Sequence, residues 1–272
     1  EQALTGVNGM VHAAAKGSVS GDWRDYERVK IEGTKSLLDA AVEHAIPKFL
    51  YISSPSVAHA GAALVGAGNG DASPEHARGN YARSKAVAEK AVLQMNGTAL
   101  STGEHLCTGA LRPHLIWGPG DTQLVERILE RARAGRLPLL SGGTGLIDTL
   151  YIDNAADAVV HGYERLEALA GRAVVVTNGQ PRTVAELMSG FCTAVGVPAP
   201  RFSVPAPMAV VAGHLIEKVW ALLPHSVTAG DEPPMTGFLA EQLSTAHWFD
   251  QRDTRELLGW EPAVSIAEGY ER

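Results

Sequence analysis

Residues 48–57 read KFLYISSPSV, and the first six of them decide the fold. The run KFLYIS is apolar nearly throughout rather than alternating, which is typical of a parallel strand buried on both faces. Helical patterns over 23–45 and 80–94 lie on either side of it. Two more short apolar runs, at 9–13 and 105–112, complete an alternation of strands and helices. This alternation predicts a doubly wound, parallel α/β sheet.

The rest of the chain follows the alternation less strictly. A Gly- and Ala-rich loop is predicted over 55–79, helices over 122–134 and 153–169, and a late strand over 172–177. The remainder, 179–272, is mostly helical and punctuated by proline, without a strong strand pattern. We therefore expect the sheet to end near residue 178 and a smaller helical unit to follow it.

Composition excludes several classes of protein. The 272 residues are 45% hydrophobic, enough for a large core, and the formal net charge of −7 disfavours nucleic-acid binding. No stretch reaches the roughly 18 uncharged apolar residues of a membrane span. The nearest, 204–223, is interrupted by ionisable residues, so only peripheral membrane contact stays open. Cys107 and Cys192 are too few for a disulfide framework and favour a reducing, cytoplasmic location. Neither has metal-ligand spacing, and we predict no metal site.

Tyr81 and Lys85 stand four residues apart in a predicted helix, so their side chains face the same way. A free tyrosine has a pKa of about 10, too high for a general acid/base at neutral pH, whereas a nearby ammonium group favours the phenolate. The pair therefore has the chemistry for proton transfer. The spacing alone also suits an ordinary solvated pair on a helix.

Three serines lie at the carboxyl end of the strand at 48–53, where ligands bind in open parallel α/β sheets. They are Ser53, Ser54 and Ser56. A hydroxyl group there is able to hydrogen-bond a substrate oxygen on which negative charge develops. For Ser53 and Ser56 taken singly, the better interpretation is that they simply end the strand.

Six motifs occur in order: HAAA at 12–15, IEGT at 31–34, FLYISSPSV at 49–57, YARSK at 81–85, LRPHLIWGPGD at 111–121 and YIDNAADAVV at 151–160. Together they resemble the extended short-chain dehydrogenases/reductases, most closely the 3β-hydroxysteroid dehydrogenase-like branch. The resemblance continues to the segment at 247–262 and covers nearly the whole chain. It implies a Rossmann-type dinucleotide-binding domain over 1–178, of which 118–150 contribute partly to the substrate side, and a substrate-binding cap over 179–272.

The resemblance also implies roles for single residues. Tyr81 resembles the catalytic acid/base, Lys85 the lysine that lowers its pKa and holds the nicotinamide ribose, and Ser54 the serine that binds the reacting oxygen. The implied cofactor is NAD or NADP. Its implied contacts are His12, Ala13, Ala14, Ser53, Tyr81, Lys85, Pro113, His114 and Leu115.

The sequence departs from the family pattern at two places. Lys30 stands where the family usually has an asparagine, which helps to order a water relay behind the active-site lysine, so that relay is not expected here unchanged. The glycine-rich turn that holds the cofactor pyrophosphate is not found ahead of the first strand, because GAALVGAGNG at 61–70 lies between the Ser and Tyr motifs. We therefore expect about 60 residues, with the first strands of the sheet, to be absent from the front. We also expect these 272 residues alone to bind the cofactor weakly.

Three functions are left open. The first is an NAD(P)-dependent oxidoreductase that interconverts a secondary alcohol and a ketone on an apolar substrate, either a sterol or a long-chain β-keto acid of the 2-alkyl-3-oxoalkanoate type. The second is a nucleotide-sugar epimerase, and the third a non-catalytic, truncated remnant. The apolar segment 204–223 suits a sterol or a long acyl chain, and ordinary packing in the cap accounts for it equally well. A homodimer is also left open.

Overall fold

The structure is a computed structural model that describes residues 4–14, 22–59, 63–222 and 236–272. Its strands are β1 (Met10–His12), β2 (Lys48–Ile52), β3 (Leu64–Ala67), β4 (Cys107–Pro113), β5 (Ile116–Trp117), β6 (Leu139–Leu140), β7 (Leu146–Ile147), β8 (Leu150–Tyr151), β9 (Ala173–Val176), β10 (Arg182–Thr183), β11 (Ser203–Val204) and β12 (His247–Phe249). Its α-helices are α1 (Trp23–Tyr26), α2 (Gly33–Glu43), α3 (Gly79–Gln94), α4 (Val125–Arg133), α5 (Ile152–Glu164), α6 (Leu166–Leu169), α7 (Val184–Ala194), α8 (Ala206–Leu222), α9 (Gly237–Ser244), α10 (Arg252–Leu258) and α11 (Ile266–Glu271).

The central sheet has four parallel strands in the order β1-β2-β4-β9. These are the four strands that the sequence predicts. Helices α2 and α3 pack on one another, with α3 against β2 and β4, while α5 and α6 also pack on this sheet and α10 packs on β9. The prediction of a doubly wound, parallel α/β fold is confirmed.

Strand β2 shows why its sequence lacks alternation. Phe49 and Tyr51 belong to a core cluster with Leu38 of α2, whereas Leu50 belongs to a second cluster with Leu166 of α6. Successive side chains of a strand point to opposite faces, so both faces of β2 are buried against helices. A strand in this position needs apolar residues at every position, and it holds the serines after Ile52 in a fixed place.

The predicted helix over 23–45 contains a π-helical turn, Glu27–Glu32, between α1 and α2. Asp22 caps α1 as predicted, since its carboxylate accepts a hydrogen bond from the Arg24 backbone N–H at 3.0 Å. A π-helical turn changes which side chains share a face, and such turns are frequent at functional sites. Here the turn packs against α3 and leaves Lys30 only 2% exposed.

A second, mixed sheet has the order β10-β7-β12-β3. Its strand β12 pairs in parallel with both β3 and β7, so residues 247–249 return to the segment that precedes α3. The sequence predicts a loop over 55–79 and no strong strand beyond 178. Both predictions miss these strands, because a run of two to four residues is too short to show a period. The division of the chain at residue 178 stays a prediction.

Among the described helices, no helix has both the length and the apolar composition that crossing a membrane requires. Helix α8 nevertheless exposes an apolar stripe at helical spacing, formed by Met208 (64% exposed), Val211 (69%), Leu215 (62%) and Val219 (51%). Packing among the described residues therefore does not cover this stripe.

Candidate active site

The candidate site lies where the carboxyl ends of β1, β2 and β4 meet. His12 is the last residue of β1, Ser53 and Ser54 follow β2, and Pro113 is the last residue of β4. The registers place these ends side by side, with His12 opposite Tyr51 and Ile52 opposite Leu111. Ligands of open α/β sheets bind at this edge.

Tyr81 lies in the first turn of α3, which packs on the short 3-10 helix Pro55–Val57 after β2. Burial raises the pKa of Tyr81, a hydrogen bond with the Ser54 side chain opposes that rise, and a charge on Tyr26 would add to it. The structure thus brings together the tyrosine and the serine that the sequence predicts as a pair. The Ser54 hydroxyl also lies 2.9 Å from the Ser56 hydroxyl.

Lys85 lies one turn after Tyr81 on α3 and is buried. Its Nζ donates a hydrogen bond to the Ile52 carbonyl at 2.6 Å and lies 4.8 Å from the centroid of the Tyr51 ring. Burial lowers the pKa of Lys85 to about 8, while the charge of Glu89 opposes that shift. Lys85 therefore faces the carboxyl end of β2. The ammonium group that lies against the Tyr81 ring belongs to Lys30, 3.5 Å from the ring centroid.

His12 is held by a chain of two hydrogen bonds. The Thr34 hydroxyl donates its hydrogen to the Lys30 carbonyl at 2.5 Å. The Thr34 Oγ1 atom therefore accepts a hydrogen bond from His12 Nε2–H at 2.9 Å. Burial lowers the pKa of His12, and the charge of Lys85 lowers it further. The imidazole is therefore neutral at pH 7. Ala13 and Ala14 follow β1 as exposed residues.

Ser53 is the serine with an unused hydroxyl group. Its backbone N–H donates to the Leu111 carbonyl at 2.7 Å, and its side chain is 6% exposed. Among the described residues, no partner accepts from or donates to its Oγ atom. Because buried polar groups are nearly always hydrogen-bonded, this atom is suited to a polar group of a bound ligand.

Pro113, His114 and Leu115 form the turn after β4. The His114 Nδ1 lies 2.6 Å from the Asp148 carbonyl oxygen, and burial lowers the pKa of His114 to about 4. Leu115 has φ of +45°, an unusual conformation for a residue other than glycine. The His114 ring is directed toward Asp148 and Phe249, which leaves the backbone of His114 for contact with a ligand.

Two buried groups near the site escape the sequence analysis. Asp148 is fully buried, and burial raises its pKa to about 6, although hydrogen bonds from Thr177 and backbone N–H groups oppose the rise. Glu89 and Arg112 form a buried ion pair between α3 and β4. Asp148 lies between strands of two residues each and carries no periodic signal. The position of Glu89 one turn after Lys85 is the only sequence sign of the ion pair.

A cavity of about 910 Å³ lies beside β9 and is lined by residues that include Asn69, Lys90, Arg112 and Arg172. None of the predicted site residues lines it, and we do not assign it to the reaction. Within the described residues, no group of three His, Cys, Asp or Glu side chains is arranged to hold a metal ion.

Solved structures share this architecture. The UDP-glucuronic acid 4-epimerase of Bacillus cereus, solved in complex with NAD, matches with a TM-score of 0.67 over 99% of this chain and 74% of the epimerase. At 19% identity this likeness concerns the fold alone. The chain therefore has the Rossmann-type fold of this class of structures.

The sequence comparisons identify the family within this class. Residues 1–206 match the 3-beta hydroxysteroid dehydrogenase/isomerase family. The 2-alkyl-3-oxoalkanoate reductase of Stenotrophomonas maltophilia is 40% identical over 99% of this chain and 80% of its own length. The sterol-4-alpha-carboxylate 3-dehydrogenase, decarboxylating, of Mus musculus is 29% identical over 99% of this chain and 74% of its own length. The chain belongs to the 3-beta hydroxysteroid dehydrogenase/isomerase family and is an oxidoreductase.

Proposed function

We propose that this protein is an NAD(P)-dependent reductase/dehydrogenase that interconverts a ketone and a secondary alcohol on an apolar substrate. The observation that carries the proposal is the placement of Ser54 beside Tyr81 at the carboxyl edge of the central sheet: α3, whose first turn holds Tyr81, packs on the 3-10 helix that Ser54 caps. Binding and protonation of a single carbonyl oxygen require two such hydroxyl groups side by side.

In the reducing direction, the Ser54 hydroxyl donates a hydrogen bond to the substrate carbonyl oxygen. The Tyr81 hydroxyl transfers its proton to the same oxygen as the carbonyl becomes an alcohol. In the oxidising direction, the Tyr81 phenolate accepts the alcohol proton. Because burial raises the pKa of Tyr81, nearby positive charge is needed to make the phenolate accessible at neutral pH.

The cofactor, when bound, supplies or accepts the hydride. Two groups of the chain fit it: the Lys85 ammonium has N–H groups beyond the one that bonds to Ile52, and the buried Ser53 hydroxyl has no partner among the described residues. We propose that Lys85 and Tyr81 hold the ribose. Ser53 and six residues at the carboxyl edge of the sheet complete the contact: His12, Ala13, Ala14, Pro113, His114 and Leu115.

We propose a 2-alkyl-3-oxoalkanoate as the substrate class in preference to a sterol. The reductase of that name is 40% identical to this chain, against 29% for the sterol dehydrogenase. The cap offers apolar surface near the site: Arg78, directly before α3, forms an ion pair with Glu241 of α9, which packs on the apolar helix α8. Such surface suits long alkyl chains and gives few cations to a nucleotide diphosphate.

The substrate class is tested by steady-state assays with NADH and with NADPH, following the absorbance of the reduced nicotinamide. A 2-alkyl-3-oxoalkanoate and a 3-oxosterol are compared at equal concentrations, and conversion of UDP-glucose to its C4 epimer, which consumes no reduced nicotinamide, is followed separately with NAD⁺ by chromatography. We expect turnover of the 2-alkyl-3-oxoalkanoate, which Tyr81→Phe lowers by about 10²–10⁴ and Tyr163→Phe, a change on α5, leaves intact. Preferential turnover of the 3-oxosterol would refute the substrate class, and turnover of UDP-glucose alone would refute the reductase.

We further propose a cytoplasmic enzyme, since both cysteines are free thiols and Cys192 is buried. The homodimer stays a prediction, and analytical ultracentrifugation of the purified protein measures it.

A further inference from the structure

Lys30 occupies an unusual place for a lysine. Its side chain is 2% exposed, and its Nζ lies 3.5 Å from the centroid of the Tyr81 ring and 5.0 Å from that of Tyr26. Lysine is rarely buried to this degree without a compensating interaction. An ammonium group over the face of an aromatic ring is attracted to it, and more strongly where water is excluded.

The π-helical turn Glu27–Glu32 is what directs Lys30 to this place. The turn packs on α3, and its Lys30 carbonyl accepts the Thr34 hydroxyl, which in turn binds His12. Lys30 thus links the candidate acid/base on α3 to the end of β1 through its side chain and its backbone together. An asparagine side chain is too short to reach the ring in the same way.

We propose that Lys30 is a positioning residue for Tyr81: its ammonium group holds the phenol ring in place and favours the phenolate, as a second lysine beside Lys85. The inference rests on the proposed function in one respect, that Tyr81 is the acid/base. An opposite charge close to a group favours its ionised form. The Lys30 ammonium lies 3.5 Å from the centroid of the ring whose hydroxyl group ionises.

The acids near Lys30 and Tyr81 have cationic partners of their own. Asp25 and Glu32, near Lys30 in sequence, are largely exposed and ion-paired with Arg28 and Lys35. Glu89 is the buried acid of the region, and its carboxylate is held by Arg112. The other titratable groups that border this region are Tyr26 of α1, His12 of β1, Tyr51 of β2, Arg112 of β4, and Lys85 and Glu89 of α3. Arg83 of α3 lies over the Trp23 ring of α1.

The test measures the ionisation of Tyr81 directly. Tyrosinate absorbance is titrated in each variant with and without Tyr81→Phe, and the difference reports Tyr81 alone, without substrate or cofactor. We expect Lys30→Met to raise the pKa of Tyr81 by about one to two units. In Lys30→Arg, which keeps the positive charge, the pKa of Tyr81 is expected to stay closer to its wild-type value. Lys35→Met removes an exposed lysine of the neighbouring helix and is the matched control, with no shift expected.

A kinetic measurement separates this inference from the proposed function. In the oxidising direction, the limb of the pH–kcat profile that reports Tyr81 is expected to move upward with the titrated pKa, so that kcat at pH 7 falls about tenfold per unit. An unchanged Tyr81 pKa in Lys30→Met overturns the role of Lys30, whatever the activity. A shifted pKa in a protein without any reductase activity overturns the proposed function and leaves the link between Lys30 and Tyr81 standing. If Lys30→Met does not fold, the pKa of Tyr81 is compared between Lys30→Arg and Lys30→Gln. An equal Tyr81 pKa in these two variants overturns the inference.

Discussion

The buried ion pair between Glu89 and Arg112 offers a test of the packing that supports the site. Arg112 Nε donates to Glu89 Oε2 at 2.9 Å, and Arg112 Nη2 donates to Glu89 Oε1 at 2.5 Å. The Glu89 side chain is 0% exposed and the Arg112 side chain 1%. Arg112 Nη1 also binds the carbonyls of Asn69 and Gly70. The pair therefore joins α3 to β4 and to the segment that follows β3.

Glu89→Gln keeps the shape of the side chain and removes its charge. One carboxylate oxygen becomes an NH₂ group that faces the guanidinium, and Arg112 is left as a buried charge with only carbonyl partners. Breaking a buried pair in this way costs about 3–5 kcal/mol of the free energy of unfolding. Replacing both partners, with Glu89→Leu and Arg112→Met, removes both buried charges and is expected to cost less than the single change.

Urea unfolding followed by circular dichroism measures these changes. The matched control is Asp153→Asn, which removes an acid from the exposed pair with Arg272 and is expected to cost less than about 1 kcal/mol. The reasoning is refuted if Glu89→Gln costs no more than Asp153→Asn.

The remaining predictions concern the site and its pH dependence. Ser54→Ala is expected to lower kcat by about 10²–10³, as loss of a preorganised donor does. Ser53→Ala and Ser56→Ala are expected to lower kcat far less. Equal losses at all three serines in steady-state assays would contradict the assignment of Ser54. Burial raises the pKa of Asp148 from 3.8 to about 6, so its neutral form stabilises the fold below pH 3.8 and this stabilisation is lost as the pH rises through 6. Relative to Asp148→Asn, the wild type is therefore expected to lose up to about 3 kcal/mol of unfolding free energy over that range, whereas parallel stability curves would show that Asp148 is not perturbed.

Much of the fold is predictable from sequence because its signals are local. The buried strand at 48–52 shows as a continuous apolar run, and the helix of Tyr81 extends over enough residues for its period to show. Parallel pairing then places the end of β2 beside those of β1 and β4. The proximity of Ser54 and Tyr81 follows from these two elements and the family resemblance.

What escapes sequence analysis depends on packing between distant segments. The π-helical turn that brings Lys30 to the Tyr81 ring has no mark in the hydrophobic pattern. The pairing of β12 with β3 joins short strands far apart in the chain. The burial that perturbs Asp148 likewise arises from β7 and β12 together, since the Asp148 N–H donates to the His247 carbonyl at 2.9 Å.

The central claim is that Tyr81 is the proton donor and acceptor of the reaction. It is tested most directly by kcat for reduction of a 2-alkyl-3-oxoalkanoate at saturating substrate and NAD(P)H, compared between the wild type and Tyr81→Phe. Loss of a positioned acid/base predicts a fall of about 10²–10⁴ in kcat, with the fold retained by circular dichroism. A kcat within tenfold of the wild-type value would contradict the account.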